Sequence, residues 1–328
     1  MTGFLKRLFS RAQPALQTHD QAHLREPVAV PDPWARLDLQ HIFGHQAATS
    51  ASQAALRDLG KALRKRLRHE ADQALTLPRQ PAVLPELIRW LNDETVSHRQ
   101  LADTIGRDPA LSATLLKLAN SVWFRTCPDP VETVPRAIAV VGLDGLRRLV
   151  AAALTMPVIR GNQSDPLREQ LWQWALDAGE LSRQVTRQYH ADEASLYLGT
   201  LVIALGYLTL YLNGLELAGP GHLRAEDVRS LMPQLTMAYR FHVARRIADH
   251  WQLTPGLRNA MRDLQQDAPR VPGSLPHGLA LTLQMAHLGH LWRHQRLTTD
   301  ELERFVSAQP DSQWYHDVIY THTDTRTP

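Results

Sequence analysis

One cysteine in 328 residues, Cys127, excludes an internal disulfide framework and any cysteine-based zinc cluster. That fits a reducing compartment. Neither sign of charge dominates: Lys plus Arg number 36 against 33 Asp plus Glu, so the pI of 9.2 overstates the basicity and implies no general nucleic-acid footprint. No stretch of useful length alternates apolar and polar residues, which excludes a sheet and makes the class all-α. A glycine-rich phosphate loop is missing, as is a Gly-x-Ser-x-Gly nucleophile elbow. Only two His-Asp dipeptides occur, His19-Asp20 and His316-Asp317. Neither has a helical set of metal-ligating residues around it, and after the second the only further acid is Asp324.

What the chain does have is one long uncharged run, Ala194 to Leu215, closely flanked by Glu193 and Glu216. Its length suits a membrane span. It equally suits the central helix of a large core, apolar on every side. At 44% hydrophobic and 21% charged residues, a chain of this size can build that core.

The chain divides into four parts. Residues 1–50 read as a flexible N-terminal segment, rich in Pro, Gln and Ala from residue 12 on, with a short turn at Trp34. Its first residues place Phe4, Leu5, Leu8 and Phe9 along one side of a potential helix, with Lys6, Arg7 and Arg11 beside them. No apolar core or cleavage site follows, so this is no signal peptide. A frayed terminus competes with an interfacial or partner-binding helix there. Residues 51–76 read as a basic connecting helix: Leu56, Leu59, Leu63 and Leu67 recur at helical spacing among Arg57, Lys61, Arg64, Lys65, Arg66 and Arg68. No aromatic residue is interleaved to stack on bases, which favours a solvated face over a nucleic-acid path. Residues 77–270 carry closely spaced helix signals, with apolar faces at Val83–Leu91, Leu101–Ile105 and Leu111–Leu118. Residues 271–328 form a helical extension and tail, with helices around Leu279–Trp292 and Thr299–Val306.

Asp108-Pro109 is a strong helix start: the carboxylate can cap orphan N–H groups and proline suits the first helical position. Leu111 follows it, then Leu116, Asn120 and Ser121 at the helix end, then Ala137, Ile138 and Gly142, where a helix should stop or pack closely. In order and spacing these residues resemble the HDOD family, whose pattern is Asp-Pro-x-Leu, Leu-x-x-x-Asn-Ser, Ala-Ile-x-x-x-Gly and then a basic amphipathic helix. The turn Trp251-Gln252-Leu253-Thr254-Pro255 resembles the family's Trp-x-Leu-Pro, and the likeness covers about residues 77–270. It implies a helical bundle related to HD phosphohydrolases and places the apolar run inside that bundle, with no membrane span.

HD phosphohydrolases hold a divalent metal with a His, a later His-Asp pair and a distant Asp, a set suited to generating hydroxide and clamping phosphate. Alignment with the family pattern puts Trp174 at the first His and Ile203 and Ala204 at the pair, within Gly199–Gly206. A later His-His pair of some HD proteins falls near Asp263-Leu264. Of these only Asp263 could bind a metal. The resemblance therefore implies loss of the HD site: no enzyme, no catalytic residue, no cofactor and no metal. Asp108, Pro109, Asn120, Ser121 and Gly142 are read as structural.

Among the remaining histidines, His287, His290 and His294 lie along one side of a helix. No Cys or acid accompanies them there, so an exposed stripe is expected rather than a zinc site. The pairs His19/His23 and His41/His45 lie in surroundings with no firm fold. The functional expectation is a non-catalytic bacterial signal-transduction module that works through protein–protein contacts in the cytoplasm, with partners among bacterial signalling proteins. The alternatives are a diverged metal-dependent phosphohydrolase and a nucleic-acid binder using residues 57–68.

Overall fold

The structure, a computed structural model, describes residues 34–44, 53–68, 75–80, 102–103, 105–161, 165–189, 192–220, 223–266, 268, 270–309 and 311–324. Among these there is no strand. The helices in chain order are α1 (Ala35–Phe43), α2 (Gln53–Arg68), α3 (Pro109–Ala119), α4 (Val134–Arg160), α5 (Pro166–Tyr189), α6 (Glu193–Ala218), α7 (Ala225–His250), α8 (Pro255–Gln265), α9 (Leu275–Arg293), α10 (Thr299–Ser307) and α11 (Ser312–Asp324). The expected helix over Val83–Leu91, the amphipathic Met1–Arg11 and residues His19, Asp20, His23 and His45 lie outside the described residues.

The uncharged run folds as α6, the helix around which the bundle is built. It packs against α7, α5, α4, α9 and α2. Ser195–Ala218 is long and apolar enough to cross a bilayer, and 94% of its most apolar window is buried by the rest of the protein. A helix apolar on every side needs such a coat, because each large apolar side chain taken out of water contributes about 1.5–3 kcal/mol. Its polar groups are answered locally: Thr200 Oγ1 donates to Leu196 O, and Thr209 Oγ1 to Leu205 O. Asn213 holds the chain leading into the bundle, since its Oδ1 accepts from Thr76 N and from Arg66 while its Nδ2 donates to Thr76 O. Gly206 lets α6 approach α7 closely: a Cβ there would stand 3.4 Å from Arg240 O and 3.5 Å from Ala244 N.

Capping explains where the other helices begin. Asp108 Oδ1 accepts from Ala110 N and Leu111 N, both at 3.0 Å, with Pro109 in the first turn. Thr133, Thr254, Ser274 and Thr298 do the same for α4, α8, α9 and α10. Asn120 ends α3 and ties down the loop after it: Nδ2 donates to Leu116 O and Val131 O, and Oδ1 accepts from Val131 N. Ser121 Oγ donates to Leu118 O. Gly142 breaks the helical path of α4 at φ +70°, so the residues before and after it form two helical segments across a kink. Trp251 closes α7, donating Nε1–H to Pro78 O and accepting from Gln80 through its carbonyl.

One expectation is corrected here. Within the N-terminal segment read as flexible, Trp34 introduces a helix, α1, rather than an isolated turn. Ala35, Asp38, Leu39, Ile42 and Phe43 are buried, and α1 packs on α7, α9 and α5. Its apolar residues fall at i, i+4, i+7 and i+8, one helical face, so tertiary burial overrides the surrounding linker composition.

Candidate functional site

The positions aligned with the HD ligands lie in the core. Trp174, on α5, is 1% exposed, and Ile203 and Ala204, on α6, are fully buried. The Trp174 ring packs 5.3 Å from Tyr207 and 5.2 Å from His287, tilted by 37° and 34°. An indole N–H has no lone pair for a metal, and Ile and Ala have no donor at all. These residues do not fit a divalent cation there. Asp263 is half-buried on α8, with Leu264 buried beside it. His316 and Asp317 sit at the surface of α11, where His316 faces Glu303 at 3.7 Å.

A different polar cluster lies beside Trp174. Asp38, fully buried on α1, faces two imidazoles of α9: Oδ2 lies 2.7 Å from Nδ1 of His287 and Oδ1 lies 2.5 Å from Nδ1 of His290. An ionised carboxylate only accepts, so both Nδ1 atoms carry a hydrogen and donate to it. His287 Nε2 lies 3.5 Å from the hydroxyl of Tyr207. Burial alone would raise the Asp38 pKa, but the neighbouring His290 and the hydrogen bonds from both rings hold it below the ordinary carboxylate value.

One turn further along α9 the cluster widens. His294 lies at its exposed rim, and His41 comes in from α1. Ring centroids are 5.3 Å apart for His41 and His290, 4.8 Å for His41 and His294, and 4.4 Å for His290 and His294. One nitrogen of each can be chosen so that all three lie within 4.8 Å of one another. His41 Nε2 is buried and makes no hydrogen bond among the described residues. Partial burial, with His290 next in effect, lowers the pKa of His41; burial, then His290 and His41, pushes that of His294 down to about 4. His294 is therefore neutral at pH 7.

The histidines of α9 thus depart from the exposed stripe expected of them. His287 is 0% and His290 5% exposed, and the missing acid is supplied by another helix. The i, i+3/i+4 spacing on α9 and the i, i+3 spacing of Asp38 and His41 were visible signals. Their convergence was not, because 249 residues separate Asp38 from His287. On α2, Leu59, Leu63 and Leu67 are buried, Arg66 pairs with Glu216, and Arg57, Lys61, Lys65 and Arg68 are exposed.

A family model for the HDOD domain matches residues 77–266. Both α1 and α9 fall outside that span. Among solved structures, a proposed metal-dependent phosphohydrolase from Shewanella amazonensis SB2B is 21% identical with a TM-score of 0.56, covering 82% of this chain and 99% of its own. An HDOD domain protein of unknown function from Geobacter sulfurreducens is 15% identical with a TM-score of 0.55, covering 82% and 95%. At these identities the likeness is one of fold. An uncharacterized protein from Treponema pallidum (strain Nichols) is 25% identical over 215 residues, 62% of this chain. The chain spans 40% of the length of that relative.

Proposed function

This chain belongs to the HDOD domain family, and from that premise we propose that it is a non-catalytic regulatory module acting through protein contacts. The observation that carries the reading is the packing at the HD-ligand positions. Trp174 packs against both Tyr207 and His287, and Ile203 and Ala204 are fully buried. A phosphohydrolase needs water and substrate at that point, together with oxygen or imidazole ligands. Here the space is filled by apolar and aromatic side chains.

The module works in bacterial signalling, in the cytoplasm, with protein partners. The single cysteine and the burial of α6 support that compartment. The exposed cations of α2 have no aromatic residue among them, which supports a solvated face over a nucleic-acid path. The test is capture of partners by the full chain from its host, followed by reconstitution from purified components. The expected result is a defined complex that forms without turnover of any phosphate ester. Failure of every captured protein to bind when purified, with phosphoester turnover by the chain alone, would overturn the reading.

A further inference from the structure

The residues on α1 and α9 form a set that the HDOD match does not reach. Three imidazoles converge from two helices. His290 on α9 and His294, the residue that caps its C-terminus, stand one turn apart at the i, i+4 spacing at which one helix end presents two ligands to one ion, and His41 closes the set from α1. Around a tetrahedral ion the nitrogens lie about 3.4 Å apart, given metal–nitrogen bonds of about 2.0–2.1 Å. A mutual reach of 4.8 Å closes to that with small rotations of the side chains.

The hydrogen bonding suits the same purpose. Asp38 engages Nδ1 of His290, which leaves Nε2 as the nitrogen of that ring able to face a metal. A carboxylate behind a metal-binding histidine fixes its tautomer and strengthens it as a ligand. His41 contributes a buried Nε2 with no hydrogen-bond partner among the described residues, a desolvated group suited to a metal. Arg296 lies near His41 and Arg293 near His294, and both oppose a cation; Arg293 is paired with Asp177, and Asp38 supplies negative charge beneath the cluster.

We propose that His41, His290 and His294 bind one late first-row divalent cation of the zinc class, with Asp38 as the residue that positions His290. Three nitrogen donors select this class over Mg²⁺ or Ca²⁺, which prefer oxygen. The site is separate from the HD-ligand positions at Trp174, Ile203 and Ala204. It clips a helix before the family domain to a helix after it, so metal occupancy controls how firmly α1 is seated on α9.

The experiment uses the full chain, stripped with EDTA and dialysed. Co²⁺ is titrated with the visible d–d bands as readout, and Zn²⁺ is titrated by competition against bound Co²⁺. Wild-type protein should take up one Co²⁺ per chain with a low-coordinate spectrum, displaced by Zn²⁺, and Zn²⁺ should raise its melting temperature. His41→Ala and His294→Ala should each weaken binding by at least about tenfold, and Asp38→Asn by about 10–100-fold. His294 lies at the rim, so His294→Ala keeps the test decisive if His41→Ala fails to fold. His316→Ala, on the surface of α11, should leave binding unchanged. Absence of a one-equivalent site in the wild type would overturn the proposal. So would Co²⁺ binding that survives His294→Ala with its spectrum intact, because the cation would then sit on other histidines.

Discussion

Asp108 and Asp38 are both single carboxylates that the fold depends on, and they differ in how far their partners lie along the chain. Asp108 meets N–H groups two and three residues ahead, so its role is legible in the dipeptide Asp-Pro. Asp108→Ala should cost about 1 kcal/mol, the usual worth of an N-cap, seen as a lower denaturant midpoint. An unchanged midpoint would show that the cap contributes nothing. Asp38 meets rings 249 and 252 residues away, and no local pattern announces that. With Asp38→Asn the amide can accept at one atom only, leaving one buried imidazole N–H opposite another donor. The expected loss is about 1–3 kcal/mol in metal-free protein, read from the same melts. A change within a few tenths of that baseline would mean that the pair is not formed as described. Sequence also suggested the wrong environment for His287 and His290, because the acid that completes their pairing stands on another helix.

At the scale of elements, α6 was readable from composition alone, as a long run without charge, but composition could not choose between bilayer and core. In the structure the helix is buried by α4, α5, α7, α9 and α2, the coat that a core helix needs. The kink at Gly142 was likewise readable, since a positive φ favours glycine. Helix α1 was hidden by its neighbours: Ala35, Leu39, Ile42 and Phe43 make a sound apolar face, but nine residues between proline- and glutamine-rich stretches do not hold a helix without packing. The contact of α6 with α7 is the most exposed to test. Gly206→Val would press branched carbons against the backbone at Arg240 and Ala244. It should destabilise by about 1–3 kcal/mol, with helix content retained by circular dichroism and a lower melting temperature. Full stability in that variant would show that the two helices stand further apart than their backbones indicate.

At the scale of the whole molecule, Trp174, Ile203 and Ala204, which the family resemblance aligns with the HD ligands, are part of the core, and the polar residues nearby form a cluster between α1 and α9. Putting Ile203→His and Ala204→Asp into the chain should not create an enzyme, because Trp174 still offers no lone pair and the new carboxylate would be buried without a partner. That double variant should lose several kcal/mol, a large share of a typical domain's stability. Turnover of phosphate monoesters, diesters and cyclic dinucleotides by the wild-type full chain, supplied in turn with Mn²⁺, Fe²⁺ and Zn²⁺, decides between a regulatory module and an enzyme. A regulatory module gives no hydrolysis above the metal-only background, including under conditions where the histidine cluster is loaded. Metal-dependent turnover that scales with protein concentration would contradict it and place a working phosphohydrolase site in this chain.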